Sequence, residues 1–390
     1  MRLNKIFYLS GISITFYGNA LFTFILSWWL IKETGNTDLL SKITAITFLP
    51  TIIINLFAGS LVDKFNKKMV LIISDIVSGL VCMGGYYFLR DDFSVPILAS
   101  IVVSLKILGT FFSIGSRVIV PFLFKEVHIH SINGWQAIIK QITEISGPLL
   151  GGVLAILWGP QLFFLINGIS FIISAVLEMF LQIDTQVDVA KKKKDAKISI
   201  VSYFQKERRI FLAIVGAGIS NFFIAGLNVL LPFVALTILN SDMNLSIILA
   251  FQATGAVLAP IILKLVKTNE FLTTNFYFYL IGSGIILIFA WPNVYVLCAV
   301  MFIYGTIQTA FNINFFSYIQ VTVEQRVLGR AVSFIYVIAG LLIPLGAMTL
   351  PYSSYVFGGY SIMIVGILFT LSMLAIFITS KRMERLTSNS

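Results

Sequence analysis

About a dozen long apolar runs constrain this chain more than any other feature. They fall roughly at 7–31, 42–62, 69–89, 95–117, 135–157, 160–182, 210–238, 244–266, 272–290, 293–317, 327–350 and 354–379. Most are long enough for the ~20 helical residues that cross a ~30 Å hydrocarbon layer. In that layer an unpaired backbone N–H or C=O costs several kcal/mol, so only helices and closed barrels are admissible. Barrel strands would show alternating segments of ~10 residues, whereas these runs are continuous. Composition agrees: 58% of residues are hydrophobic and 11% charged, against about half and a quarter in soluble domains. The expected fold class is an all-α membrane protein with twelve transmembrane helices. The first run has no small-residue cleavage site and leads directly into a second hydrophobic hairpin, so it reads as a retained helix and not a signal peptide.

A formal charge of +10 raises the question of nucleic acid, and the distribution of the basic residues answers it. With the N-terminus inside, 22 of the 27 Lys and Arg residues fall on the cytoplasmic side, three (Lys32, Lys42, Arg90) on the other, and two within spans. That asymmetry is the positive-inside rule, which puts both termini in the cytoplasm of a cell (inner) membrane protein. No nucleic-acid partner is needed. Cys82 and Cys298 lie in apolar segments and read as buried free thiols, with no disulfide framework or metal spacing. His128 and His130 share one loop without a partnered nucleophile, phosphate loop or metal set, so an enzyme is disfavoured. No cofactor or metal is expected.

The longest polar stretch, residues 184–209, carries the run Lys191 to Lys194. It separates an N-terminal half, 1–183, from a C-terminal half, 210–390, with six spans each, and reads as a basic linker and topological anchor. The halves show a weak repeat. Gly109-Thr110 answers Gly305-Thr306 and Pro148-Leu149 answers Pro344-Leu345, both 196 residues apart, while Gly134 and Gly329 are 195 apart. Two six-helix pseudo-repeat halves are the architecture of the major facilitator transporters, with substrate handled where the halves meet.

The turn between the second and third spans, "AGSLVDKFNKK", carries a more specific resemblance. Gly59, Asp63, Lys64, Lys67 and Lys68 match the facilitator pattern G-x-x-x-D-[RK]-x-G-[RK]-[RK], and Asn66 replaces its second glycine. Asparagine tolerates a left-handed backbone, so a left-handed turn at Asn66 is expected. Gly59 permits close helix approach, and a carboxylate at Asp63 can face a helix N-terminus. The lysines by themselves need only the positive-inside rule. The resemblance implies that the loop gates, as a latch in which Asp63 meets the start of the eleventh span around Val327 to Val332, Arg330 included.

Charges inside spans are functional candidates by default. Lys106, in "SLKILGT", resembles the basic residue of a fourth-helix motif associated with proton coupling; a buried lysine could serve there or be a structural pair. Lys140 and Glu144, four apart, could form an intrahelical pair, and Glu144 leads the proton-carrier candidates. Asp75 follows, with a structural partnership to the lysines of the loop as its alternative. "GWQAIIKQITEISGPLLGG" resembles the fifth-helix antiporter motif: Gly134, Gly147, Pro148, Gly151 and Gly152 match, and Thr143 stands at a glycine position. The resemblance implies export by antiport.

Uncharged polar residues mark the expected solute path: Thr15, Asn19, Asn221, Asn228, Gln252, Gln308 and Asn312. Among aromatics such as Phe22, Phe223, Phe311 and Phe315, they suit an amphipathic or weakly cationic solute. Gln308 and Asn312, four apart, should face one direction. The segments 34–68 and 328–348 look like the macrolide-efflux and siderophore-exporter branch of the superfamily. The expectation is a monomeric exporter of a hydrophobic or amphipathic small molecule, working against lipid and driven by a proton gradient. An importer of the same fold and a non-transporting immunity or sensor protein are the alternatives.

Overall fold

The computed structural model describes the chain except for residues 1, 35–36, 91, 159–160, 184–199, 240–241, 266–275 and 389–390. Within helices, only the backbone is described for 25, 28, 31, 37–49, 148–149, 152–158, 201–202, 236–237, 242 and 383–388. Twelve helices of 12 residues or more run through the described residues, which contain no strand. They are α1 (Arg2–Thr34), α2 (Thr37–Lys64), α3 (Lys67–Leu89), α4 (Val95–Val118), α5 (Glu126–Trp158), α6 (Leu162–Met179), α7 (Arg208–Phe233), α8 (Asp242–Leu265), α9 (Tyr277–Ile288), α10 (Val294–Thr322), α11 (Leu328–Thr349) and α12 (Ser361–Ser388). Seven helical stretches among the described residues are long and apolar enough to cross a membrane. One of them, Leu328–Arg382, is 55 residues long and takes in both α11 and α12.

Helix ends depart from the apolar runs where polar chain continues the helix beyond the hydrocarbon. α5 begins at Glu126 and not near 135, because hydropathy marks where lipid begins and not where hydrogen bonding stops. α12 starts at Ser361 and not near 354: Gly358 has φ 52°, a conformation that breaks the preceding short helix, Ser353–Phe357. Of the expected linker, 184–199 lies outside the described residues, and Ile200–Lys206 is a short helix before α7.

α3 shows which solvent the molecule is built for. Its buried face carries Ser74, Asp75, Ser78, Gly79, Cys82 and Gly85, while Ile73, Val77, Leu80, Tyr87 and Phe88 are exposed. Apart from the buried Leu71, Ile72 and Leu89 near its ends, large apolar side chains face outward and small or polar ones inward, the reverse of a water-soluble helix and the pattern of helices packed in lipid. Cys82 is a buried free thiol against Asn167, whose Nδ2 donates to Sγ at 3.6 Å; Cys298 is also free and buried.

Contacts divide the chain into two compact units, 1–197 with 323–334, and 198–322 with 335–390. In the first unit α1 packs on α5 and α6, α2 on α4, and α3 on α4 and α6. The second repeats the scheme: α7 packs on α12, α8 on α10, and α9 on α10 and α12, with α7 also against α11 through Gly218 and Ile338. Missing side chains allow these approaches. A Cβ on Gly168 of α6 would lie 3.0 Å from the Gly79 carbonyl of α3, and one on Gly305 of α10 would lie 2.2 Å from the Gln252 carbonyl of α8.

The α2–α3 turn differs from expectation. Asn66 has φ −63° and ψ 119°, an extended and not a left-handed backbone, and caps α3. Its Oδ1 accepts from the backbone N–H of Lys68 at 3.0 Å and of Met69 at 3.4 Å. The chain needs an acceptor for the open N–H groups of α3 there, which glycine cannot supply. Replacing Asn66 by Ala should lower stability by ~1 kcal/mol, and by Asp much less. Thermal melting of the detergent-solubilised variants checks this; equal melting of N66A and wild type would contradict the cap.

Candidate functional site

The α2–α3 turn is tied to the start of α11 within the first unit. Asp63 Oδ1 accepts from the Gly329 backbone N–H at 2.7 Å. Oδ2 accepts from the Arg330 backbone N–H at 3.1 Å and from Arg330 Nε at 3.0 Å. The carboxylate therefore sits on N–H groups that the first turn of a helix cannot satisfy itself, where the helix dipole also favours an anion. Its side chain is 5% exposed, against 26% for Arg330. Gly59, one turn earlier on α2, makes room: a Cβ there would lie 2.4 Å from the Gly329 carbonyl and 2.5 Å from Ser333 Cβ. Ser333 Oγ donates to the Asn55 carbonyl and accepts from the Gly59 N–H at 3.3 Å.

Two of the three lysines do more than mark topology. Lys67 Nζ donates to the carbonyls of Asp63, at 2.7 Å, and Phe65, at 3.1 Å, at the C-terminal end of α2. Lys68 Nζ donates to the carbonyls of Met179, at 2.6 Å, and Leu181, at 2.8 Å, at the end of α6. Both place a cation where the last helix carbonyls are open. Lys64 is exposed.

Asp75 does not join these lysines. It is buried, 1% exposed, in a cluster of α1, α3 and α6. Thr15 Oγ1 lies 3.1 Å from Asp75 Oδ2 and 2.9 Å from Ser174 Oγ, and Ser174 Oγ lies 3.1 Å from the Gly11 carbonyl. Glu178, 2% exposed, interacts electrostatically with Asp75, and its Oε2 has no hydrogen-bond partner. Thr15, expected on the solute path, is buried in this cluster. The other two intramembrane candidates are not buried. Lys106 is exposed on α4. Glu144 is 3.7 Å from Lys140, with side chains 55% and 62% exposed. Charge inside an apolar run does not reveal which helix face carries it.

Of the fifth-helix motif, Gly147 and Gly151 bring α5 onto α1. A Cβ on Gly147 would lie 2.6 Å from Ala20 Cβ, and one on Gly151 2.9 Å from the Phe24 ring. Gly134 and Thr143 are buried; Pro148 and Gly152 lie within α5, but their burial and contacts fall outside the described residues.

The expected path residues divide. Asn19, Asn228 and Asn312 are exposed, and Asn221 and Gln252 half-buried. Asn221 Nδ2 donates to the Ala217 carbonyl at 3.0 Å. Gln308 is buried, with Nε2 at 3.3 Å from both Ser220 Oγ and Tyr304 Oη, so it does not share the environment of Asn312. The aromatics assigned to the path are largely core: Phe22 packs on Phe164 at 4.9 Å, Phe223 on Phe369 at 4.8 Å, and Phe311 on Phe315 at 5.4 Å. Sequence reading passed over a polar network in which Arg117 Nη1 donates to Asn133 Oδ1 at 3.1 Å and Gln136 Oε1 at 2.8 Å. Gln136 Nε2 in turn donates to Tyr8 Oη. Its only signal was amides recurring on one face of α5.

Charge-assisted hydrogen bonds contribute about 1.5–3 kcal/mol each. Asp63→Ala should therefore speed hydrogen exchange at the Gly329 and Arg330 amides by at least about tenfold. Gly59→Ala, which leaves the carboxylate in place but collides with the Gly329 carbonyl, should do the same. Unchanged exchange in both variants would refute the tie.

The sequence matches the model of the Major Facilitator Superfamily over residues 8–347. It is similar to the Staphyloferrin A transporter of Staphylococcus aureus (strain NCTC 8325 / PS 47), 22% identical over 370 residues, 90% of each chain. It is also similar to Macrolide efflux protein A of Streptococcus pyogenes, 20% identical over 359 residues, 86% of each chain. Among solved structures, the E. coli fucose:proton symporter superposes with a TM-score of 0.76 at 12% identity, covering 97% of both chains. A bacterial homologue of the iron transporter ferroportin gives 0.72 at 16% identity, over 97% of this chain and 99% of the other. These likenesses carry the fold alone. With the family match over most of its length, the chain belongs to the major facilitator superfamily and is a multi-pass membrane transporter, not an enzyme.

Proposed function

We propose that the chain exports a hydrophobic or amphipathic small molecule by proton antiport, through alternating access of two six-helix halves. It does so in the cytoplasmic membrane, with both termini inside and twelve crossings. The observation that carries the direction is the fifth-helix motif, whose Gly147 and Gly151 seat α5 on α1. The relatives similar over most of their length, a siderophore transporter and a macrolide efflux protein, favour the same solute class.

Asp63 is the gating residue in this reading. Its carboxylate holds the first turn of α11, and α11 runs on past residue 335 into the second unit. A tie made of three hydrogen bonds at a helix start is strong enough to define a state and weak enough to release in a transport cycle. Of the proton-handling candidates Asp75, Glu144 and Lys106, only Asp75 is removed from solvent, where a change of protonation has most effect on packing. The exposed amides Asn19, Asn228 and Asn312 remain available to solute.

Proteoliposomes loaded with a radiolabelled macrolide or an apolar fluorescent dye, and given an imposed pH gradient, test the reading. Gradient-dependent movement of either probe is expected, abolished by a protonophore and slowed in Asp63→Asn. Movement coupled only to a sodium gradient, uptake in the opposite direction, or binding without movement would each overturn it.

A further inference from the structure

We propose that Asp75 and Glu178 form a proton-binding site inside the first unit, in which two carboxyl groups that no cation among the described residues neutralises hold a proton between α1, α3 and α6. This deepens the proton-coupled reading above and rests on it for its role in transport. The site itself rests on geometry.

The first observation is a count of hydrogens. The contacts Asp75 Oδ2 to Thr15 Oγ1, Thr15 Oγ1 to Ser174 Oγ, and Ser174 Oγ to the Gly11 carbonyl are 3.1, 2.9 and 3.1 Å long. Three contacts need three hydrogens, and the two hydroxyls own one each. A proton on Asp75 supplies the third: Asp75 donates to Thr15, Thr15 to Ser174, and Ser174 to the Gly11 carbonyl. With Asp75 ionised, one of the three oxygen–oxygen contacts has no hydrogen in it.

The second observation is Glu178. Its side chain is buried, its Oε2 meets no donor among the described residues, and Ser174, one turn before it on α6, stands in the chain of contacts that begins at Asp75. It is also close to α1: a Cβ on Gly11 would lie 3.7 Å from Glu178 Cγ. Two buried carboxyl groups within electrostatic reach of each other do not both ionise without a cation.

The surrounding charges are engaged elsewhere. On α1, Lys5 lies over the Trp135 ring, and Tyr8 Oη donates to the Ser116 carbonyl. On α3, Lys67 reaches the carbonyls that end α2 and Lys68 those that end α6. On α4, Arg117 holds Asn133 and Gln136, and Lys106 is exposed. On α2, Asp63 is bound at α11, and on α5, Glu144 and Lys140 pair with each other. A proton is the cation left to balance the pair. Its loss would leave repelling charges between α1, α3 and α6, so proton occupancy sets how closely these helices pack.

Infrared spectra of the purified full-length protein in lipid nanodiscs at neutral pH, in light and heavy water, test the site. Wild type should show a protonated-carboxyl stretch that shifts on deuteration, is lost in the Asp75→Asn/Glu178→Gln double variant, and moves in frequency in Thr15→Val. Because the double variant could fail to fold, wild type is also treated with dicyclohexylcarbodiimide, which attacks protonated carboxyls in apolar surroundings. Mass spectrometry should find the adduct on Asp75 or Glu178, and less of it as pH rises. The site is refuted by a wild-type spectrum no different from that of the folded double variant, or by no adduct on either residue. Loss of band and adduct on adding sodium at constant pH also refutes it, in favour of a metal-cation site. None of these readouts needs a transported solute. An intact band without gradient-driven export therefore overturns the exporter reading alone, and gradient-driven export without the band overturns this inference alone.

Discussion

The molecule is arranged around the absence of water. In hydrocarbon each backbone polar group must be satisfied within the protein, which forces helices, and polar side chains are favoured where they turn toward a neighbouring helix. α3 shows the result along its whole length, with Ser74, Asp75 and Ser78 inside and Ile73, Val77 and Leu80 outside. Everything with a candidate role follows from that inversion. Polar groups gather at helix contacts because there is nowhere else for them to be stable, and glycines such as Gly79 and Gly168 gather there because small residues let the contacts form.

Two uses of carboxylate chemistry coexist in the first unit. Asp63 is held by two backbone N–H groups and a guanidinium, an environment suited to a fixed negative charge. Asp75 and Glu178 have hydroxyls and each other, an environment suited to a neutral acid. The same functional group becomes an anchor in one place, among backbone amides and a guanidinium, and a proton holder in the other, beside hydroxyls and a second acid.

Much of this was legible in the sequence, for reasons that differ by residue. The apolar runs gave the helices because lipid thickness fixes their length. The resemblance carried by Gly59 and Asp63 pointed to α11, and the residues by themselves to no more than a close helix approach and a carboxylate at some helix start. Asn66 was read as a left-handed turn because asparagine serves turns and caps equally, and only the backbone decides between them. Lys106 was read as buried, and Glu144 as the leading proton carrier, because hydropathy has no azimuth: it locates a residue along a helix and not around it. The Asp75 and Glu178 pair escaped notice because its members are on different helices, and nothing in a linear chain registers α3 against α6. For the same reason the burial of Thr15, Gln308 and most of the aromatics at helix contacts could not be read in advance.

The tie at Asp63 joins residues 266 apart in sequence, and residues 323–334 belong to the same compact unit as the first six helices. A chain is made from its N-terminus at roughly 5–20 residues per second, so the carboxylate waits on the order of tens of seconds before its donors exist. Throughout that interval the early helices are complete in covalent terms and incomplete in structural ones. Biosynthesis therefore has a late checkpoint: the first unit cannot close its own list of hydrogen bonds until the eleventh helix has been translated, and a chain that stops short of it carries a buried acid without its donors.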